Sequence, residues 1–361
     1  MNVICFDLEG PLSPQDNAFE VMGLIPNGKK IFEVLSRYDD LLALDKREGY
    51  QPGDTLSLIV PFLVKYNVKS KDIKRISDKA GIVAGAKELI ALLKKQGWKV
   101  YIISTSYEPH ALNIAGKLDV ARENVYCTPL PLEKFSSGLK RKDSNLIGEL
   151  ENVILNDLST RFDDEKILEV LDVFFWDKMA KTDIGKMMSE VKVVGGARKA
   201  EAMRMVSIIN DTLMGEIISV GDSITDTDLL GDVKRAGGVS IAFNSNSYAI
   251  PNATVALTCS SILPLYAFTE AYSGGGVKES LETVDFWESN ADVIYVNPEN
   301  IPKNYLPEKV KNLLLKHKGR KDFIWPAVHN LINASQDKLA MVAEKHKIAR
   351  EFVRGHAAKL G

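Results

Sequence analysis

The chain has 361 residues, a formal net charge of −2, 45% hydrophobic residues and 26% charged residues. Its length predicts two or three folded units with an ample core, and the near-neutral charge gives no indication of a polyanionic partner. Three widely separated cysteines favour a reducing compartment over a cysteine-bound metal cluster, and the absence of a basic leader or a long apolar run predicts a cytoplasmic protein without signal peptide or membrane span.

The first predicted element is a strand from Val3 to Phe6, which ends on the acidic residues Asp7 and Glu9 before a Gly-Pro break. A short apolar run bounded by helix breakers is typical of a buried strand. Its carboxylates are then expected at the carboxyl edge of a sheet, where open α/β folds bind their ligands. They could bind a hard cation or act as a nucleophile, and an acidic turn without chemistry is the alternative.

Residues 15–82 have mostly helix-like apolar spacing and predict a helical cap inserted after the first strand. A helix over 85–97 then leads into a strand over 98–103, which is half of a βαβ unit and predicts a parallel sheet. The strand ends on the hydroxyls of Ser104 and Thr105. These hydroxyls suit a phosphate site or an ordinary Ser/Thr turn.

A second helical insert is predicted over 131–190, and it precedes a helix that carries Lys199 in its first turn. A further apolar strand, 216–221, runs into a loop that carries Asp222 and Asp226. Two short apolar runs after this loop continue the predicted parallel sheet.

The remaining segment, 273–361, is predicted as a helical extension that begins with a flexible glycine-rich joint over 273–276. Residues 302–361 contain 13 Lys or Arg against 5 Asp or Glu, a net charge of +8. A basic segment of this kind favours solvated helix ends over a nucleic-acid or acidic partner. The predicted units are a core domain over 1–14, 83–130 and 191–272, a cap over 15–82, an insert over 131–190 and an extension over 273–361.

Four groups with possible chemistry follow one another along the chain: Asp7 with Glu9, Ser104 with Thr105, Lys199, and Asp222 with Asp226. All except Lys199 come directly after predicted parallel strands. Such groups can converge on one crevice. Carboxylate oxygens suit Mg²⁺, and a lysine with hydroxyls can offset the charge of a phosphoryl group during transfer. The pattern therefore favours phosphoryl transfer.

This set resembles the motifs of the haloacid dehalogenase superfamily, and most closely its phosphoserine phosphatase-like branch. The four matching motifs are Val3–Gly10, Val100–Ser104, Lys199 and Gly221–Asp226. The resemblance implies an α/β fold, in which a three-layer parallel-sheet (Rossmann-like) core carries a helical cap after the first strand. It also implies magnesium-dependent hydrolysis of a small phosphorylated metabolite.

The resemblance further implies a role for each matching residue. It makes Asp7 the nucleophile and Glu9 the acid/base. It assigns the phosphoryl group to Ser104, Thr105 and Lys199, and the Mg²⁺ ion to Asp7, the backbone carbonyl of Glu9, Asp222 and Asp226. No histidine is assigned to catalysis.

Several alternatives remain open at this point. Most members of the superfamily have Asp where this chain has Glu9, and Glu at that position resembles phosphotransferase branches that pass the group to an alcohol. Arg198 and Lys192 compete with Lys199 for the lysine position. A scaffold or regulatory subunit that binds a protein partner, or a second copy, through the inserts is the hypothesis from another class.

Overall fold

In the computed structural model, which describes residues 1–136 and 138–359, a seven-stranded sheet forms the centre of the molecule. The strands are β1 (Val3–Phe6), β2 (Lys99–Tyr107), β3 (Val125–Thr128), β4 (Ile217–Gly221), β5 (Ser240–Phe243), β6 (Val255–Thr258) and β7 (Ala327–Asn330). Their spatial order is β3-β2-β1-β4-β5-β6-β7, and every neighbouring pair is parallel except β6 and β7. Strand β1 therefore lies between β2 and β4, at the point where the strand order reverses.

Alternating residues of β1 supply the cores on the two faces of the sheet, as the two-residue period of a strand requires. Ile4 and Phe6 pack into one core with helices on their side, and Val3 and Cys5 pack into a second core on the other face. All four side chains are fully buried. The α/β three-layer fold class predicted from the sequence is thereby confirmed.

A helical cap follows β1, as the apolar spacing over 15–82 predicts. Its helices are α1 (Asn17–Met22), α2 (Gly28–Leu44), α3 (Thr55–Leu58), α4 (Val60–Lys65) and α5 (Ser70–Asp78). Helices α6 (Ala86–Lys95) and α7 (Glu108–Lys117) then flank β2.

The second insert is also helical. It contains α8 (Leu132–Ser136), α9 (Arg141–Val153), α10 (Ser159–Arg161), α11 (Asp164–Asp172) and α12 (Asp183–Glu190), with π-helical turns over Ile154–Leu158 and Val173–Lys178. The cap and the insert share one hydrophobic core that is separate from the two cores of the sheet. An ion pair of Arg37 with Asp164, in which Nε and Oδ1 are 2.8 Å apart, joins them at the surface.

Two helices on the second face lead to the candidate site. These are α13 (Ala197–Ile209), which precedes β4, and α14 (Thr227–Arg235), which follows it. Met203 and Val206 of α13 pack beneath β1 and β4, together with Leu229 and Leu230 of α14.

The C-terminal segment differs from its prediction in two respects. Its helices are α15 (Leu265–Ser289), α16 (Ala291–Val296), α17 (Glu308–His317) and α18 (Gln336–Arg354). The segment is not helical throughout, because β7 pairs antiparallel with β6 and extends the sheet. The predicted flexible joint lies inside α15 as a kink, where Gly275 and Gly276 leave helical geometry. No helix within the described residues is long and apolar enough to cross a membrane.

Candidate active site

Three buried carboxylates meet at the carboxyl edge of the two central strands. Asp7 follows β1, and Asp222 and Asp226 follow the neighbouring strand β4, whose Val220 carbonyl accepts a hydrogen bond from the Asp7 amide at 2.8 Å. One carboxylate oxygen of each aspartate lies within 4.8 Å of the others. The structure thus brings together acids that are separated by more than 200 residues in the sequence.

Lys199 lies between two of these carboxylates. Its Nζ is 2.7 Å from Oδ1 of Asp7 and 2.7 Å from Oδ1 of Asp226, and its side chain is fully buried. Burial opposes the charge of Lys199, but Asp226 and Asp7 outweigh it and raise the lysine pKa above its usual value. The lysine is therefore held as an ammonium ion.

The two competing cations point elsewhere. Arg198 pairs with Asp54 of the cap, with Nη1 and Oδ1 2.6 Å apart, and Lys192 is exposed beside a separate surface pocket. In the part of the chain that the structure describes, only Lys199 of these three cations contacts the carboxylates of the cluster.

Asp226 organises its own loop. Its Oδ2 accepts hydrogen bonds from the amides of Asp222 and Ser223, at 3.0 and 3.1 Å, while its Oδ1 accepts from Lys199 at 2.7 Å. Both oxygens are therefore engaged, and Asp226 fixes the position of the lysine and of the loop.

Glu9 lies at the rim of the site. Its Oε1 accepts hydrogen bonds from the Ser106 hydroxyl at 2.7 Å and from the Asn17 amide at 2.9 Å. Burial and the nearby Asp16 carboxylate raise the pKa of Glu9 to about 7, against the lowering effect of these two hydrogen bonds. Nε2 of His110 lies 3.9 Å from the same oxygen, so the structure places one histidine beside the predicted acid/base.

The hydroxyls that end β2 do not all face the same way. Ser104 is buried and its Oγ accepts a hydrogen bond from the Ser106 amide at 3.1 Å, whereas Thr105 and Ser106 line the cavity in front of Asp7. The buried Oγ1 of Thr105 has no hydrogen-bond partner among residues 1–136 and 138–359. Thr105 and Ser106 are thus better placed than Ser104 to meet a group bound in the cavity.

Two arginines of α18 contact Asp222, and no motif in the sequence points to them. Nη1 of Arg354 lies 2.8 Å from Oδ2 of Asp222, and Nη1 of Arg350 contacts the same oxygen. Both side chains are about 4% exposed. Arginines four residues apart in a basic helix are typical of a solvent-exposed face. The sequence does not show which residues pack against that face.

The carboxylate cluster fits a divalent cation such as Mg²⁺. All of its candidate ligands are oxygens, which Mg²⁺ prefers. Oδ1 of Asp222 is buried and has no hydrogen-bond partner in the described part of the chain, although buried carboxylate oxygens normally have one. Asp7 and Asp222 are therefore the residues that would hold the ion, with Asp226 in support.

The cavity in front of Asp7 is lined by residues of the cap and of α18. Its volume is about 80 Å³, and it has room for roughly two or three water molecules. The cap contributes Asp16, Phe32, Ser36 and Thr55 to its lining. The cap and α18 thus form the walls in front of the predicted nucleophile.

Comparison with known proteins gives relatives by structure alone. No family model matches this chain, and none of the curated proteins matches it. The gene product AF1437 of Archaeoglobus fulgidus has a similar structure, with 26% identity, coverage of 100% of this chain and 99% of that one, and a TM-score of 0.78. The two proteins therefore share their fold over the full length of this chain, including the inserts and the C-terminal segment.

More distant neighbours include a phosphoserine phosphatase, with 14% identity, coverage of 71% of this chain and 92% of that one, and a TM-score of 0.46. A HAD family hydrolase from Salmonella enterica serovar Typhi shares 11% identity over 68% of this chain and 62% of its own, with a TM-score of 0.43. The sheet order, the cap after β1 and the converging carboxylates agree with the resemblance to the haloacid dehalogenase superfamily that the four motifs carry.

Proposed function

We propose that this protein is a phosphohydrolase that acts on a small phosphomonoester through a covalent phosphoryl group on Asp7. The observation that supports this most is the contact of Lys199 with both Asp7 and Asp226 at the edge of β1 and β4. A carboxylate nucleophile beside a fixed ammonium ion is suited to meet a phosphoryl group and to offset its charge.

Asp7 would attack the phosphorus of the ester. A bond forms between a carboxylate oxygen of Asp7 and phosphorus, while the bond from phosphorus to the ester oxygen breaks. Water then attacks the same phosphorus, the acyl phosphate bond breaks, and inorganic phosphate leaves. The covalent step divides one difficult displacement into two easier ones.

Glu9 would move the protons of both half-reactions. Its pKa of about 7 makes the acid form available at neutral pH, so it can protonate the leaving ester oxygen and later accept a proton from water. The Ser106 hydroxyl and the Asn17 amide hold its Oε1, which directs the carboxyl group toward the cavity rim. In this way the longer glutamate side chain gains the fixed orientation that the reaction requires.

Lys199 and the Thr105 and Ser106 hydroxyls would bind the phosphoryl oxygens. Lys199 is held by its two carboxylate contacts, so it offers a charge that needs no rearrangement during the reaction. A Mg²⁺ ion bound at Asp7 and Asp222 would add charge stabilisation for the phosphoryl oxygens. The cap would exclude water and select the rest of the substrate.

Phosphate release from a panel of small phosphomonoesters, with and without magnesium, tests this function. We expect magnesium-dependent release from at least one ester, and its loss in Asp7→Asn. A matched control is Asp228→Asn, which changes a neighbouring acid that the structure does not place in the carboxylate cluster. Release that is equal in wild type and Asp7→Asn over the whole panel would contradict the proposal.

A scaffold or regulatory subunit with little turnover is the second candidate. The pairing of Asp222 with Arg350 and Arg354 favours it, because these two arginines already hold Oδ2 of a candidate metal ligand. Panel-wide inactivity together with a stable complex formed through the cap and the second insert would favour this candidate over the hydrolase.

A further inference from the structure

The two arginines of α18 engage one oxygen of Asp222 and leave the other free. Nη1 of Arg350 and Nη1 of Arg354 both donate to Oδ2 of Asp222, and Nη1 of Arg350 also donates to the Asp222 carbonyl at 3.1 Å. Oδ1 is buried without a hydrogen-bond partner in the described residues. The arginines thus leave Oδ1 as the atom of Asp222 that a further cation can reach.

Gly10, in the loop after β1, lies against the same carboxylate. Its φ is +100°, and a Cβ atom at Gly10 would lie 2.2 Å from Oδ2 of Asp222. Only glycine allows so close an approach without displacing the carboxylate. The carboxylate of Asp222 therefore packs against the loop after β1 and also contacts both guanidinium groups.

The helix that carries the arginines is itself anchored beside the site. Nδ1 of the buried His346 accepts a hydrogen bond from the Ser245 amide at 2.9 Å, and Nε of Arg354 donates to the Pro14 carbonyl at 3.3 Å. Both contacts join α18 to loops at the carboxyl edge of the sheet. The two positive charges are therefore part of the folded site.

Three cations already face the carboxylate cluster, and the acids Glu9 and Asp16 lie near Arg354 as well. Asp7, Asp222 and Asp226 supply three carboxylates, and Lys199 with the two arginines supplies three cations. A divalent cation at Oδ1 of Asp222 would lie a few ångströms from two fixed guanidinium groups. Repulsion between like charges at that distance is substantial in a buried site.

We propose that Arg350 and Arg354 are positioning residues of the metal site, which orient Asp222 and keep the affinity for a divalent cation low. This inference rests on the proposed function only in taking Asp222 as a metal ligand. Because coupling between two sites is reciprocal, a bound divalent cation must in turn weaken the docking of α18. Metal loading and the position of the C-terminal helix are thus linked.

Titration of the full-length protein with Mn²⁺, read by electron paramagnetic resonance after chelator treatment, tests the inference. We expect Arg350→Gln and Arg354→Gln each to tighten Mn²⁺ binding about tenfold or more, because each removes one repelling charge. Arg350→Lys and Arg354→Lys keep the charge and should stay near the wild-type affinity. Arg204→Gln is the matched control, since it removes an exposed arginine that pairs with Asp232.

Hydrogen exchange of the wild-type protein gives a second readout that needs no variant. Saturating Mn²⁺ should increase the rate of amide exchange in α18 relative to α14, because α14 carries neither Arg350 nor Arg354. Unchanged or weaker Mn²⁺ binding in both glutamine variants would overturn the inference, as would unchanged or slower exchange in α18. These readouts do not depend on turnover, so an inactive phosphomonoester panel would count against the hydrolase alone.

Discussion

Asp226 and Asp222 follow the same strand and lie four residues apart, yet different parts of the chain hold them. Asp226 is held by two amides of its own loop and by Lys199, all within 27 residues in sequence. Asp222 is held by Arg350 and Arg354 of α18, which are 128 and 132 residues away. A local motif can therefore contain all of its acids, while a helix far along the chain supplies the positive charges that contact one of them.

The largest expected effect is on the Asp226 side of the cluster. Lys199→Met should lower the rate of phosphate release by roughly 10²–10³-fold, because a preorganised charge at the phosphoryl group is lost. Steady-state kinetics on the best ester of the panel measures it. Lys192→Met is the matched control and should keep the wild-type rate. A near-normal rate in Lys199→Met would contradict the proposed role of Lys199 at the phosphoryl group.

Glu9→Gln should have the next largest effect. The amide keeps the size of the side chain but cannot donate and accept the proton, so kcat should fall by about 10²-fold or more. Ser106→Ala, which removes one of the two donors to Oε1, should cost less than Glu9→Gln in the same assay. A Ser106→Ala effect equal to that of Glu9→Gln would show that the hydroxyl does more than orient the carboxyl group.

The buried Asp39 of the cap predicts a pH-dependent stability. Burial raises its pKa to about 7, although Tyr50, Gly53 and Thr55 donate hydrogen bonds to it. The folded state therefore binds a proton that the unfolded state releases above about pH 4, and stability should fall as the pH rises from about 4 to 7. The contribution is up to about 4 kcal/mol over that range.

Urea unfolding at several pH values measures this contribution. Asp39→Asn removes the titrating group, so the free energy of unfolding should fall less steeply with pH in the variant than in the wild type. Asp45→Asn, at an exposed position of the same cap, is the control and should keep the wild-type slope. Parallel pH profiles for wild type and Asp39→Asn would contradict the prediction.

The smallest expected effect concerns the ion pair between the cap and the core. Asp54 is buried and Arg198 is partly exposed, so Asp54→Asn should lower the free energy of unfolding by about 1–3 kcal/mol. Its larger consequence should be a raised KM, because the pair holds the cap loop against the start of α13. An unchanged KM would show that this contact does not govern closure of the cap.

The sheet and the cluster on its edge were predictable, because their signals are local. A short apolar run that ends on Asp7, and another that ends on Asp222, place carboxylates at neighbouring strand ends without any knowledge of packing. Lys199 was selected by the family resemblance, and its place in the sequence alone left Arg198 and Lys192 open. The structure therefore agrees with the sequence wherever strand period and loop chemistry decide the outcome.

The C-terminal segment was less predictable, because its signals are long-range. Strand β7 has four residues and pairs with β6 across about 70 residues of chain, so its sequence alone does not distinguish it from a loop. Gly275 and Gly276 produce a kink within α15, because the helix continues and packs on both sides of them. The partners of Arg350 and Arg354 depend on how α18 docks, which no pattern in the sequence encodes.

The most direct test of the central claim is to trap the covalent phosphoryl group. The protein would be acid-quenched during turnover of its best phosphomonoester, and its peptides examined by mass spectrometry. We expect the mass of one phosphoryl group on the peptide that carries Asp7, and its absence in Asp7→Asn. Turnover without any phosphorylated Asp7 peptide, or with the group on another residue, would contradict the proposed mechanism.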